Sequence, residues 1–267
     1  MPEDKIVSHA KVGIIGGGIM GVSLLYHLAK EGWKDLVLIE KGELTSGSTW
    51  HAAGQCPQMM GSYNLAKVHL HSTNLYKKLE KETGQSTGWH GCGSLRLAYK
   101  QEDLDWFHYV KGILDNVGAP AEIISTNEIK KIHPFIKLDG IMGAFHTPED
   151  GHTDPTSTTN AMAKGARNAG ATIYRNNRVT DIKHRSSGEW ELITEKGNII
   201  CEHVVNAAGS FCPEVGEMVG LKNIPSINMI HHYLVTDEHS EIKKLTKARL
   251  NDRSSSSWKS LKELKKK

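Results

Sequence analysis

Three glycines and one glutamate define the chemistry to look for first. Gly16, Gly18 and Gly21 stand in the order G-x-G-x-x-G, and Glu40 follows nineteen positions after Gly21. This pattern suits the ADP half of a dinucleotide. Gly16 permits a tight turn, Gly18 lacks the Cβ that would keep a pyrophosphate off the backbone, and Gly21 lets a helix pack closely on a strand. Free N–H groups and the dipole at the helix start favour the phosphates. The Glu40 carboxylate would accept hydrogen bonds from a ribose hydroxyl pair, and its charge disfavours a 2′-phosphate, which argues against NADP. FAD and NAD share this ADP half, so the spacing alone leaves both open.

A lone match of this kind is weak, and the flanking elements must support it. Residues 11–16 (KVGIIG) predict a short buried strand. Residues 19–30 predict a helix with Met20, Leu24, Leu25 and Leu28 at helical spacing, and Gly32 is its stop signal. Residues 36–40 (LVLIE) predict a second apolar strand, which completes a right-handed βαβ unit. Residues 42–61 read as a Gly/Ser/Thr-rich loop. Residues 64–82 predict a helix with Leu65, Val68, Leu75 and Leu79 inward. A strand at 93–99 and a helix at 101–117 follow. Ser125 and Glu128 form a capping box for a short helix ending before Pro134. Residues 140–147 predict a strand, and Asp154-Pro155 opens a helix to about residue 169. Four short strands are expected at 171–175, 179–184, 190–194 and 199–205, three of them as one antiparallel meander, with another strand at 230–235. After about Leu245 the composition is that of a solvated tail. The fold class expected is α/β: a Rossmann-like dinucleotide-binding domain with an interleaved, incomplete antiparallel-sheet domain.

Composition narrows the partners. Of 267 residues, 38% are hydrophobic and 24% charged, the range of a globular protein. Residues 243–267 hold ten Lys or Arg against two acids, an excess larger than the net charge of +3, so the rest is mildly acidic and no nucleic-acid partner is expected. No apolar run reaches membrane-spanning length. Cys56, Cys92, Cys201 and Cys212 form no C-x-x-C pair and read as free thiols. Fifteen histidines show no metal-ligand spacing, so no metal site is expected.

The loop after Glu40 carries a resemblance. Glu40-Lys41, then T-S-G-S-T-W-H-A-A-G over residues 45–54, is similar to the dimethylglycine and sarcosine dehydrogenase group of the D-amino-acid-oxidase-like flavoproteins. Residues 26–30, 75–79, 82–84, 150–155 (DGHTDP) and 205–209 (VNAAG) extend the likeness over about 11–235. The resemblance implies FAD, with His51 bonded to the 8α-methyl of the flavin; an unmodified His51 beside non-covalent FAD is the alternative. It implies cofactor contacts from Ile19 and Met20 at the helix start, and from Glu40 and Lys41 at the ribose. Gly47, Ser48, Thr49, Trp50, His51, Ala52, Ala53, Gly54 and Gln55 would lie around the flavin. Val179 would lie toward the adenine end, with core packing as its alternative, and Phe211 follows the second glycine-containing signature. His69, His71, His231 and His232 read as packing residues, and no catalytic residue is assigned.

The implied reaction is oxidation of a small N-methyl amino acid by hydride transfer to flavin, with the electron acceptor unassigned. The implied FAD-binding domain spans 11–92 and 150–210, a partial substrate domain 93–149 and 211–245, and a basic tail 246–267. Members of this group continue further, adding a folate-binding half. The chain is therefore expected to be truncated, or one of two partner chains, with tetrahydrofolate relevant only when the missing half is supplied. Without an evident presequence, a bacterial cytoplasm is expected, or the mitochondrial matrix for a eukaryotic source. The competing readings are a non-catalytic regulatory subunit of the same fold, an inactive truncated product, and a non-flavin NAD dehydrogenase.

Overall fold

The computed structural model describes residues 6–230, together with 232, 234, 237, 239–241 and 244. Residues up to Ile227 form one compact unit and residues from Asn228 a second. In the second, Ser240, Glu241 and Lys244 are helical and exposed. Of the strand expected at 230–235, Ile230, His232 and Leu234 are not in a strand, and His231, Tyr233 and Val235 lie outside the described residues, as does the tail at 246–267.

The first unit begins with β1 (His9–Ile15), α1 (Ile19–Lys30) and β2 (Leu36–Ile39). It continues through β3 (Gln55–Cys56), α2 (Tyr63–Thr83), β4 (Ser94–Ala98), α3 (Gln101–Val117), β5 (Glu122–Ile124), α4 (Thr126–Ile132) and β6 (Gly143–Thr147). The last elements are β7 (Gly151–His152), α5 (Pro155–Asn168), β8 (Thr172–Tyr174), β9 (Val179–His184), β10 (Trp190–Thr194), β11 (Gly197–Asn206) and α6 (Cys212–Glu217). The main sheet runs β8-β2-β1-β11-β10-β9. Its first four strands are parallel, and β9, β10 and β11 form the antiparallel meander expected from their spacing.

Period-2 alternation decides which residues face which layer. Leu36 and Leu38 join Val12 and Ile14 under Val22 and Leu25 of α1, Leu75 and Leu79 of α2, and Met162 of α5. Val37 and Ile39 join Ile15 on the other face, against Val179, Ile182, Leu192 and Ile199 of the meander. Continuous apolar strands buried on both faces follow from that sandwich. A second, three-stranded antiparallel sheet, β4-β6-β5, packs Phe145 against Phe107, Val110 and Leu114 of α3. Among the described residues no helix is long and apolar enough to cross a membrane.

Two helix faces differ from expectation. In α2, Leu75 and Leu79 are buried, but Leu65 and Val68 are exposed, and Ala66 is the buried residue of the first turn. A small side chain there lets α2 approach α3, and Leu65 lies about 100° around the helix from that contact. In α1 the buried face is Gly21, Val22, Leu25, Tyr26 and Ala29, whereas Met20 is 76% exposed. The first turn stands at the carboxyl edge of the sheet, where Met20 has no strand to cover it.

Candidate dinucleotide-binding site

The carboxyl ends of adjacent parallel strands meet at one edge, with Ile15 paired to Ile39 of β2 and to Asn206 of β11. Gly16 follows at φ +117°, and a Cβ there would stand 2.3 Å from the Ala207 carbonyl oxygen. A Cβ on Gly21 would stand 2.0 Å from the Gly16 carbonyl oxygen, so the helix start lies directly on the turn. Gly17 is as constrained: its Cβ would meet Leu44 at 2.7 Å and Glu40 at 2.9 Å. The sequence pattern treats that position as variable and misses it. Gly18 caps α1 without a side-chain hydrogen bond. Among the described residues the N–H groups of Gly18, Met20 and Gly21 have no protein acceptor. Three free donors at a helix N-terminus are what a pyrophosphate requires.

Glu40 ties this turn to the next loop. Its Oε2 accepts the Gly17 N–H at 2.6 Å and its Oε1 accepts the Gly42 N–H at 2.8 Å. Each oxygen keeps a second lone pair, enough for a hydroxyl. The Thr45 N–H then donates to the Gly17 carbonyl at 3.0 Å. A short 3-10 turn over Ser48–His51 follows, and the buried Thr49 hydroxyl accepts the Ile19 N–H at 3.0 Å. The loop is thereby fastened to the first residue of α1. Beyond that bond Trp50 and His51 are exposed with ring centroids 3.7 Å apart, and Ala52, Ala53 and Gln55 are exposed after them. Gly47 has open space where a Cβ would be. Small exposed residues around one imidazole leave room for a flat ring.

A third segment closes the crevice. The Ala207 N–H donates to the Ile15 carbonyl at 2.8 Å, and a 3-10 turn over Gly209–Phe211 follows. Lys41 Nζ stands 3.1 Å from the centroid of the Phe211 ring, a cation–π contact between two of the expected cofactor residues. Val179 is different. Its side chain is buried in the sheet core, and the part beside Glu40 is the strap preceding it. Glu40 N–H donates to the Tyr174 carbonyl at 2.9 Å, and Asn177 N–H to the Glu40 carbonyl at 3.0 Å. Packing is therefore the role the structure gives the Val179 side chain.

The far end of the loop is gripped by residues 150–153. Gln55 and Cys56 pair with His152 and Gly151, the Thr153 N–H donates to the Gly54 carbonyl at 2.9 Å, and the Gln58 N–H donates to Asp150 Oδ1 at 2.9 Å. Gln58 is fully buried, with no partner for either side-chain amide atom among the described residues. Burial, and then the Asp150 carboxylate, pushes the Cys56 thiol up to about 11. His69 Nδ1 lies 2.7 Å from the Pro57 carbonyl, so it touches this loop, whereas His71 is exposed with its ring centroid 5.9 Å from that of His27. Sequence reading missed Gly17, Gln58 and Asp150. Only the quoted DGHTDP stretch flagged the last of these, and it gave no role.

The residues fit an FAD: free donors stand at the turn, a carboxylate is oriented beside it, and an open small-residue loop carries an imidazole. Among the described residues no group of three or more His, Cys, Asp or Glu is placed to hold a metal ion.

The family profile DAO, described as FAD dependent oxidoreductase, matches residues 11–257. The chain is 44% identical over 243 residues to dimethylglycine dehydrogenase, mitochondrial, of Homo sapiens, covering 91% of this chain and 28% of that protein. It is 34% identical over 259 residues to sarcosine dehydrogenase, mitochondrial, of Mus musculus, covering 95% and 28%. The crystal structure of L-proline dehydrogenase from P. horikoshii matches with a TM-score of 0.76 at 31% identity, covering 82% of this chain and 58% of that one. The chain thus spans 28% of the length of these curated relatives.

Proposed function

Since the chain belongs to the DAO family of FAD-dependent oxidoreductases, we propose that it holds FAD for the oxidation of a small N-methylated amino acid of the dimethylglycine or sarcosine type. The observation that carries this reading is the bond from the Ile19 N–H to Thr49, which fastens the loop to the first residue of the pyrophosphate-binding helix two positions before His51. The N–H groups of Gly18, Met20 and Gly21 take the phosphates, Glu40 takes the ribose, and the face from Gly47 to Gln55 takes the isoalloxazine. When bound, FAD would supply the two-electron acceptor for oxidation of the N-methyl C–N bond, with water completing the demethylation. His51, exposed beside the small residues of this loop, would be the residue to hold the flavin covalently, an attachment that would need a two-electron acceptor such as dioxygen. The protein supplies position: no strong base is needed to take a hydride from a neutral amine, and orientation over the ring does the work.

The relatives' greater length leaves room for a substrate-binding complement, in the same chain or a partner. Tetrahydrofolate enters as one-carbon acceptor only with that complement. Both named relatives are mitochondrial, and a matrix location is the reading for a eukaryotic source.

Acid precipitation after incubation with FAD tests the core of this reading. Yellow colour in the pellet of the wild type and none in that of His51→Ala supports attachment at His51. Colour only in the supernatant limits the reading to non-covalent FAD, and no colour in either refutes it. Anaerobic bleaching by dimethylglycine or sarcosine then tests the substrate class.

A further inference from the structure

The flavin-facing loop is fixed at two ends, and the bonds at the second end converge on one carboxylate. Asp150 is 1% exposed. Its Oδ1 accepts the Gln58 N–H at 2.9 Å, and its Oδ2 accepts the Ser94 hydroxyl at 2.6 Å and the Thr147 hydroxyl. The three donors come from the segment after β3, from β4 and from the end of β6. All three are neutral. A buried carboxylate held by neutral donors tolerates little displacement, because each lost donor leaves charge desolvated and unpaired. The next three residues extend the grip through pairing with Gln55 and Cys56 and the Thr153 bond to Gly54. On their other side the His90 and His152 backbones exchange bonds of 2.8 and 3.0 Å, bracing residues 150–153 against the 87–93 segment.

We propose that Asp150 is a positioning residue: its carboxylate locks the 54–58 end of the loop to the three-stranded sheet, so that His51 is held where flavin can be captured. This rests on the reading of His51 as the flavin anchor. The other end of the loop is pinned by Thr49 on Ile19, so His51 sits between two fixed points, and Asp150 supplies the buried carboxylate at the second of them.

The test compares the full 267-residue chain as wild type, Asp150→Ala, Asp150→Asn and His51→Ala, by amide hydrogen exchange without flavin and by acid-precipitable flavin after incubation with FAD. In Asp150→Ala, exchange at residues 54–58 is expected to quicken about tenfold or more while β1 and β2 keep wild-type protection. Acid-stable flavin is expected to fall about tenfold, with flavin still binding non-covalently. Asp150→Asn should recover part of both signals, because its Oδ1 can still accept from Gln58 and its Nδ2 can donate to the hydroxyls. His51→Ala should keep wild-type exchange and lose acid-stable flavin. Wild-type exchange at 54–58 in Asp150→Ala overturns the proposal. So does faster exchange with undiminished flavin capture. A wild type lacking acid-stable flavin defeats the His51 reading instead, and exchange still decides whether Asp150 fixes the loop. If Asp150→Ala does not fold, Asp150→Asn and Ser94→Ala carry the same comparison.

Discussion

Replacing Glu40 by glutamine exchanges one oxygen for an NH2 group, and the structure turns that small change into a large one. The two carboxylate oxygens serve two backbone donors, Gly17 at 2.6 Å and Gly42 at 2.8 Å. Glutamine has one acceptor, so in either rotamer its NH2 group faces an N–H, and one charge-assisted bond becomes a donor–donor contact. A hydrogen bond to a charged group contributes about 1.5–3 kcal/mol. Partial exposure of Glu40 discounts this, so Glu40→Gln should lower folding stability by about 2 kcal/mol. Because the same bond orients the turn proposed to meet the pyrophosphate, FAD affinity should fall about tenfold to a hundredfold, or about 1.4–2.8 kcal/mol. Glu40→Asp, one methylene shorter, cannot span both donors and should behave alike. Urea denaturation measures the first quantity and quenching of flavin fluorescence on titration the second. A Glu40→Gln chain within about 0.3 kcal/mol of wild-type stability, binding FAD within about twofold, would refute the view of Glu40 as the link between turn and loop.

Other consequences concern backbone space, protons and thiols. Gly54 has φ +71° and its absent Cβ would lie 2.0 Å from the Thr153 carbonyl oxygen, whereas Gly47 has nothing within 4 Å. Gly54→Ala should therefore cost about 3 kcal/mol or more and Gly47→Ala less than about 0.5, and equal midpoints in urea would contradict the geometry. Burial holds the His146 imidazole below the ordinary histidine range, against smaller opposing effects of Glu122 and Asp150. The unfolded chain thus binds that proton more readily. This contribution to stability is present above about pH 6.5 and is lost as pH falls below that value, until the folded pKa is reached. His146→Gln should flatten that part of the stability–pH curve, and an unaltered slope counts against the assignment. With the Cys56 thiol pushed up to about 11 and Cys201 to about 12, the exposed Cys92 should be alkylated well before either at neutral pH, as mass spectrometry of a time course would show.

Local signals were readable where one stretch of chain determines its own structure. The helix at 101–117 and the strands at 179–184 and 190–194 appear with their expected bounds, because periodicity and turn residues act within each segment. Ser125 and Glu128 satisfy each other's orphan groups as a capping box, and Asp154 accepts the Ser157 N–H at 2.6 Å. Features that depend on a distant partner were not readable. Two-residue strands such as Gln55–Cys56 exist only because Gly151–His152 lies alongside. The face of α2 turned on Ala66, a small residue whose meaning came from α3. The core position of the Val179 side chain likewise depends on the distant strands packed around it.

The candidate site follows the same division. The glycine turn and the Glu40 that braces it are legible as a pattern because they lie within one βαβ unit. What converts the pattern into a site is tertiary: Thr49 on Ile19, Ala207 on Ile15, Lys41 over Phe211 and Asp150 under Gln58. Each joins residues at least 30 positions apart in sequence, and each restrains a segment with little secondary structure of its own. Because the loop at 47–55 has no core beneath it, its shape is set by these few polar bonds rather than by apolar burial. Substitutions in the sheet core should therefore report on stability, whereas loss of Thr49 or Asp150 should report first on flavin capture.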